Sequence, residues 1–455
     1  PLAHRSLARR WPGVYGVLVS RTNLLDDLVV GSVKNNGIKQ IVFAGAGNGR
    51  AFITTAHRGQ HRTDPSLSAV PGAGDPQLTT AGIGRADVWV FDAQSPGAGP
   101  GGTPLEIVSL FGDTPRALAV STDGNTVYAA VFHSGNKTAV VAEGAVCNGF
   151  GTATCTGDGV TSPNGLAGGL LPGGVPGPST DAHGAPAPEV GVIVKHDDAT
   201  GTWRDVEGRN FSNGIRFTLP DYDVFAVDAD TLETSATISG VGTVLFNMAV
   251  NPANGKLYVS NTEAINEVQF EGPGSFGGST VQGHLAEARI TVIDGNTVAP
   301  RHLNKHIPYA TLPAPPGTAN HSLATPTQIA VSATGATVYV AAFGSGRVGV
   351  LDAAALESDA FDPEVASVDY LTVSGGGPSG LVLDEARGRL YVSTRFDNGL
   401  SVIDLSTGAE RAHLKMPNPE PAAVVEGRPF LYDANLTSSN GEASCASCHI
   451  FGDMD

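Results

Sequence analysis

The sequence predicts an all-β fold, specifically a β-propeller. A short C-terminal segment, which contains a motif separate from the repeats, follows it. Three observations lead to this prediction. A strand-turn-strand unit recurs along the chain, a third strand ending in aspartate accompanies several copies, and turn-forming residues are abundant. The chain has 59 glycines and 30 prolines among 455 residues. This composition favours many turns over long helices.

The recurring unit consists of a short apolar strand, a glycine-containing turn and an alternating strand centred on tyrosine. Copies occupy residues 119–131, 249–261, 330–342 and 381–393. The third strands lie at residues 88–92, 225–228, 290–294, 348–352 and 400–404. Units of three or four strands at spacings of about fifty residues are typical of propeller blades, which bury their faces against one another. Because no convincing helical stretch separates the strands, a parallel α/β fold is not favoured.

We expect seven blades, with six or eight as alternatives. Their starts are expected near residues 40, 115, 190, 245, 325, 378 and 419. The propeller would then span residues 1–430, and the C-terminal segment residues 431–455. Glycine-rich and proline-rich stretches interrupt the repeat, and we interpret them as insertions at about residues 60–84, 144–188 and 266–288.

The charge of the chain limits its partners. Its 27 basic and 44 acidic residues give a net charge of −17, which argues against binding to nucleic acid or to anionic membranes. No apolar run approaches the ~18 residues of a transmembrane helix. Because the chain begins with Pro1 rather than methionine, we expect a processed protein or a piece of a longer one.

The four cysteines form two pairs with different spacings. Cys147 and Cys155 lie in a glycine-rich and threonine-rich stretch, and their spacing suits a small disulfide-closed loop, with two thiols as the alternative. Cys445 and Cys448 are followed directly by His449. Two cysteines at this spacing can each form a thioether with a haem vinyl group, while the adjacent imidazole binds the iron axially.

This C-x-x-C-H motif therefore predicts covalently bound haem c. A zinc half-site or a redox C-x-x-C pair is the alternative. Zinc needs a second pair of ligands, however, and the redox motif needs a thioredoxin-like context, and neither is visible in the sequence. Haem attachment and a disulfide together predict an exported protein that is periplasmic, on the cell surface or extracellular.

Other candidate metal ligands are weaker. His302 and His306 have the spacing that places two imidazoles on one face of a helix, but Pro300 and Pro308 leave little room for a helix. We therefore favour histidines that pack a loop over a metal pair.

Acidic side chains concentrate around Asp221 and Asp223, and Ca²⁺ prefers such oxygen-rich loops. Aspartates that bond backbone amides in turns are the favoured interpretation.

His57 and His61 share the spacing of the other histidine pair and follow a strand. We expect them to cap a blade loop.

With its repeats and its terminal motif, the chain resembles the YVTN-repeat propellers of exported bacterial proteins over about residues 40–418. Residues 427–449 resemble the first haem site of di-haem cytochrome c peroxidase-like domains. This resemblance implies a propeller fused to a cytochrome domain, with Cys445 and Cys448 as thioether anchors and His449 as axial ligand. The parts of that family that would hold a second haem and the peroxidase acid-base residues are absent from the sequence.

The favoured function is that of an exported c-type haem protein. Its propeller would be the scaffold of an electron-transfer module, and the module would exchange electrons with a redox partner protein or a neighbouring subunit. One alternative is a propeller for adhesion or surface-filament assembly, a homo-oligomer with haem at a subunit joint. The other is a haem peroxidase-like oxidoreductase whose catalytic half lies outside this chain. We expect a distal iron ligand from outside the chain or from water, rather than from His413, Met416 or Met454.

Overall fold

The computed structural model describes residues 38–55, 86–97, 102–112, 114–141, 192–205, 208, 210–215, 221–267, 284–311 and 313–450. Strands dominate these ranges. In chain order they are β1 (Ile38–Ala44), β2 (Arg50–Thr55), β3 (Ala86–Asp92), β4 (Glu106–Leu110), β5 (Pro115–Val120), β6 (Thr126–Val131), β7 (Thr138–Val141), β8 (Val192–Asp197), β9 (Thr202–Arg204), β10 (Val224–Asp228), β11 (Thr234–Ile238), β12 (Val244–Val250), β13 (Leu257–Ala264), β14 (Ala286–Asp294), β15 (Thr297–His302), β16 (Pro326–Val331), β17 (Thr337–Ala342), β18 (Arg347–Asp352), β19 (Leu371–Thr372), β20 (Pro378–Asp384), β21 (Arg389–Thr394), β22 (Gly399–Asp404) and β23 (Glu410–Lys415).

Within the described residues, the helices are short and concentrate in the C-terminal third of the chain. The α-helices are α1 (Ala353–Glu357), α2 (Pro363–Ala366), α3 (Ala422–Tyr432) and α4 (Ala434–Thr437). The 3₁₀ turns are Ala46–Asn48, Ser212–Gly214, Thr318–Asn320, Phe343–Ser345, Ser367–Asp369, Glu385–Arg387 and Cys445–Ser447. Among the helices in the described ranges, none has the length and apolar character needed to span a membrane.

Within the described residues the strands form five four-stranded antiparallel sheets and one three-stranded sheet. Sheet 1 contains β1 to β4, sheet 2 contains β5, β6, β10 and β11, and sheets 3, 4 and 5 contain β12 to β15, β16 to β19 and β20 to β23. The three-stranded sheet of β7, β8 and β9 is inserted between the second and third strands of sheet 2.

Successive sheets pack face to face around four separate apolar cores. Phe52 lies in the core between sheets 1 and 2, and Leu245 in the core between sheets 2 and 3. Tyr258 lies between sheets 3 and 4, and Leu390 between sheets 4 and 5. The first strands of neighbouring sheets also contact one another in chain order. This is the packing of consecutive propeller blades, in which the apolar face of each sheet is buried by the next.

The turns explain why the repeated sequence folds this way. In the first repeat, Gly124 adopts a φ of 78°, which an L-residue with a side chain rarely adopts. Asp123 supports the same turn by accepting from the backbone nitrogen of Asn125 at 3.0 Å. At the end of a third strand, Asp404 accepts from the backbone nitrogen of Ser406 at 2.9 Å. Aspartate at these strand ends therefore closes turns, as the sequence predicted.

Five of the seven expected blade starts coincide with first strands of four-stranded sheets, but two do not. The strand near residue 190 is β8, which belongs to the inserted sheet. Near residue 419 the chain forms helix α3 instead, because Pro421 followed by alanine favours a helix start over a strand. The described residues thus contain five four-stranded sheets, and seven blades stays a prediction for the whole chain.

The predicted insertions at 60–84 and 144–188 lie outside the described residues. The third, at 266–288, ends slightly earlier than expected, because β14 already begins at Ala286.

Candidate haem-binding site

Residues 433–450, here called the tail, cross the strand ends and connections at one end of the sheets, from sheet 4 back to sheet 2. Just before the tail, the ring of Tyr432 packs edge-on against Phe343, which follows β17, with 5.4 Å between ring centroids. Farther along, the backbone oxygen of Asn440 accepts from Ser322 Oγ at 2.6 Å, just before β16. The tail therefore lies on the propeller and does not extend away from it.

The far end of the tail is anchored by Ile450. Its side chain is buried in a cluster with Phe132, which follows β6, and Phe246 of β12. Near its middle, Gly441 has a φ of 74° and lies so close to Ala319 that an added Cβ would come within 2.7 Å of that residue. Only glycine combines this backbone conformation with this close approach.

Where the tail lies against the propeller, the two enclose an open cavity of about 600 Å³, a size typical of ligand and cofactor pockets. The tail contributes the two motif cysteines and the motif histidine. The opposite wall comes from the propeller and consists of Leu285, Ile307, Pro308, Tyr309, Thr311 and Ala314. The propeller thus forms one side of the pocket around the motif.

The donor groups in this cavity fit a covalently bound haem. Cys445 is an exposed thiol and Cys448 a half-buried one, and the imidazole of His449 is exposed. The backbone nitrogen of His449 donates to the backbone oxygen of Cys445 at 3.1 Å, which holds the three residues on one turn. The mainly apolar opposite wall suits the faces of a macrocycle. Apart from His449, no histidine or methionine of the described residues lines this cavity.

Glu442 attaches the tail to sheet 3. Its side chain is only 1% exposed, and its carboxylate accepts from His302 Nε2 at 2.7 Å, from Asn304 Nδ2 at 2.9 Å and from the backbone nitrogen of Ala288 at 3.2 Å. The hydroxyl of Tyr309 donates to the same carboxylate. A buried carboxylate is tolerated because these donors replace the water that it has lost.

A second cavity, of about 200 Å³, lies near sheets 2 and 3 and the inserted sheet. Its charged lining residues are Lys137, Lys195, Asp198, Asp221, Asp223, Glu263 and Arg289. These charges are paired with one another: Lys137 Nζ lies 2.8 Å from Asp198, and both Lys195 and Arg289 lie within 3.6 Å of Glu263.

Asp221 and Asp223 lie in this second cavity, where backbone amides bind both. Asp221 accepts from the backbone nitrogen of Gly240 at 3.2 Å. Asp223 accepts from that of Val241 at 2.5 Å and from the hydroxyl of Ser134. Burial, together with the charge of Asp221, raises the pKa of Asp223 to about 7 despite these hydrogen bonds. Calcium binding by the two aspartates stays a prediction.

His302 and His306, which the sequence suggested as a pair, lie in different environments. His302 ends β15 and bonds Glu442, whereas His306 Nε2 lies 3.0 Å from the backbone oxygen of Thr318. Across the described ranges, no group of three or more histidine, cysteine, aspartate or glutamate residues is arranged to hold a metal ion. A metal pair at His302 and His306 stays a prediction. The predicted roles of Cys147, Cys155, His57 and His61 lie outside the described residues.

Of the internal distal ligands that the sequence analysis does not favour, His413 lies on β23 with both ring nitrogens near other side chains. Its Nε2 lies 2.6 Å from Asp397 and its Nδ1 lies 2.9 Å from Ser401 Oγ. This serine-histidine-aspartate line resembles a hydrolase triad, but Ser401 is fully buried and cannot reach a substrate. We interpret it as a structural chain of hydrogen bonds. Met416 lies outside the cavity lining, and Met454 outside the described residues.

Sequence reasoning missed Glu442, Tyr309 and His284, and it singled out His302 without predicting its contact with Glu442. Tyr309 and Glu442 are separated by 133 residues along the chain, and neither stands in a motif that points to the other. Only the packing of the tail onto the end of sheet 3 brings them together.

No family model matches the chain, and no curated protein matches it. Solved structures with similar folds include a chain of the nidogen/laminin complex, with 10% identity over 84% of this chain and 81% of that chain and a TM-score of 0.39. The β-propeller domain of Cps50 (Swd1) from Myceliophteria thermophila has 9% identity, coverages of 86% and 69%, and a TM-score of 0.36.

A third similar structure is the periplasmic gluconolactonase PpgL of Pseudomonas aeruginosa, with 12% identity, coverages of 75% and 67%, and a TM-score of 0.34. We draw no functional conclusion from TM-scores this low. The resemblance to YVTN-repeat propellers and to di-haem peroxidase-like domains therefore stays a prediction.

Proposed function

We propose that this protein is an exported c-type haem protein in which a propeller, seven-bladed in the whole chain, carries an electron-transfer site. The observation that supports this most strongly is the common cavity of Cys445, Cys448 and His449, whose opposite wall is apolar and comes from the propeller. The two cysteines would hold haem c through thioethers, and His449 would bind the iron. When bound, haem supplies reversible one-electron chemistry at the iron.

The chain's own residues would bind and orient the group. Glu442 and Ile450 fix the tail on either side of the motif, so that the cysteines and the histidine stay in register with the propeller wall. That wall, with Ile307 and Pro308, excludes water from one side. Burial of this kind is one of the means by which a protein sets a haem reduction potential. Export to the periplasm, the cell surface or the medium, and transfer to a redox partner protein, are part of this proposal.

The decisive experiment is a pyridine haemochrome spectrum, with intact-protein mass spectrometry, on the chain produced in a host that matures c-type cytochromes. We expect one covalent haem per chain and reversible reduction and reoxidation. A chain without covalent haem would refute the proposal. Rapid turnover of hydrogen peroxide with an electron donor would instead favour the peroxidase-like alternative.

A second candidate function is self-assembly through the C-terminal helices, and one observation favours it. Large apolar side chains on and beside α3 and α4 are exposed, among them Val424, Phe430 and Leu436. Exposed apolar groups that lie close together often mark contact surfaces. Light scattering tests this candidate: association that is lost in Phe430→Asp or Leu436→Asp, with haem retained, supports assembly, and a monomer at all concentrations argues against it.

A further inference from the structure

Tyr309 occupies a special position between the cavity and the surface. One part of its side chain lines the cavity that contains Cys445, Cys448 and His449. Its ring also stacks on the imidazole of His284, with 3.7 Å between ring centroids and 11° between the planes. The side chain of His284 is 26% exposed. A phenol ring thus lies between the predicted haem site and an imidazole that reaches solvent.

The hydroxyl of Tyr309 has a defined place for its proton. It donates to the carboxylate of Glu442, and His302 Nε2 lies 3.4 Å away from it. Burial, strengthened by the negative charge of Glu442, raises the pKa of Tyr309 above its ordinary value. The ring therefore remains a neutral phenol, and it can lose an electron easily only if its proton leaves at the same time.

A second tyrosine-glutamate pair shows what is particular to this one. The hydroxyl of Tyr258 donates to Glu357, which also binds Lys256 Nζ at 2.8 Å. Tyr258 is fully buried in the core between sheets 3 and 4 and lines neither cavity. Its pair ties sheet 3 to helix α1. Tyr309 differs because its ring borders an open cavity with redox-capable donors.

We propose that Tyr309 is a redox-active tyrosine and that Glu442 is its proton acceptor. The oxidant is a one-electron metal centre in or beside the cavity, and in this respect the inference rests on the proposed electron-transfer function. The oxidant gains one electron from the phenol. The Oη–H bond of Tyr309 breaks, and its proton forms an O–H bond on a carboxylate oxygen of Glu442, which leaves a neutral tyrosyl radical. Return of that electron from the reduced metal centre and of the proton from Glu442 restores the phenol.

The experiment oxidises the full chain with photogenerated ruthenium(III) tris-bipyridine, with any haem present in its oxidised state. Transient absorption follows tyrosyl formation, and electron paramagnetic resonance identifies the radical. We expect a tyrosyl signal in the wild type that is lost in Tyr309→Phe and kept in the matched control Tyr258→Phe. Glu442→Gln, which cannot accept the proton, should slow radical formation by on the order of a hundredfold.

A solvent isotope effect keeps the inference testable if Glu442→Gln folds poorly. We expect slower radical formation in deuterium oxide in the wild type, because the proton moves with the electron. The inference is overturned if the signal survives in Tyr309→Phe, if a folded Glu442→Gln reacts at the wild-type rate, or if deuterium oxide has no effect. Absence of haem in the haemochrome spectrum would refute the proposed function but not this radical chemistry, so the two failures are distinguishable.

Discussion

Two of the cavities bordered by the described residues contain groups that can bind a ligand, but these groups are in opposite states in the two places. In the larger cavity, Cys445 and His449 are exposed side chains opposite a mainly apolar wall. In the smaller one, Lys137, Lys195 and Arg289 already lie against carboxylates. Donors that are already paired must lose those partners before they bind anything else. A cluster of charged residues is therefore weaker evidence for a site than a few donors that face an apolar wall.

The largest effect expected from this contrast concerns covalent haem. Cys445→Ser together with Cys448→Ser removes both thioether positions, so we expect complete loss of covalent haem by mass spectrometry. The matched control Asp221→Asn with Asp223→Asn alters the smaller cavity and should leave the haem content unchanged. Equal haem loss in both double variants would show that the two cavities do not differ in this way.

Next in size is the removal of the carboxylate that fixes the tail. Glu442→Ala leaves the donors of His302, Asn304 and Tyr309 without their buried acceptor, which we expect to cost about 3–5 kcal/mol. Urea unfolding measures the loss, and limited proteolysis should show cleavage within the tail. Glu426→Ala, an exposed change on α3, is the control and should cost almost nothing. A stable Glu442→Ala variant would contradict the anchoring role.

The smaller cavity should make stability depend on pH through Asp223. Because burial raises its pKa from 3.8 to about 7, the folded protein binds more protons than the unfolded chain between these values, and stability falls as pH rises through this window. The shift corresponds to at most about 4 kcal/mol. Asp223→Asn should flatten the profile and be the more stable protein at pH 8. The control Asp294→Asn, at an exposed strand end, should keep the wild-type profile in urea unfolding at pH 5 to 8.

A smaller effect is expected at the far end of the tail. Ile450→Ala removes buried apolar volume next to Phe132 and Phe246 and should cost about 2 kcal/mol, the low end for such a change, because the cluster around Ile450 is small. Thermal unfolding measures this cost. Leu436→Ala, exposed in the same tail, is the control. If the two variants melt together, Ile450 does not anchor the tail.

The smallest effect concerns calcium. Asp221 and Asp223 already accept hydrogen bonds, and Lys137 Nζ lies 3.9 Å from Asp221, so a cation would have to compete with an ammonium group. We expect millimolar calcium to change the melting temperature by about a degree or less relative to EDTA. A rise of several degrees that disappears in Asp221→Asn would show that the smaller cavity binds the ion despite its internal pairing.

The order of strands within each sheet follows from local sequence. The repeats around Gly124 and the aspartates at strand ends specify tight turns and strand ends over a few residues, and alternation specifies which face is apolar. Helix α3, at residues 422–432, shows the limit of that reasoning. The spacing of the repeats predicts a further blade start near residue 419, although Pro421 and the alanines after it favour a helix.

The chemistry of Cys445, Cys448 and His449 was readable from the sequence, because a C-x-x-C-H motif depends only on neighbouring residues. The pocket around the motif could not be predicted from the sequence. Its opposite wall, from Leu285 to Ala314, and the acceptor Glu442 are brought together by contacts between residues that lie more than a hundred positions apart. Such contacts depend on how successive sheets stack and where the tail crosses them. The sequence therefore determined the donors, and only the tertiary structure decided what surrounds them.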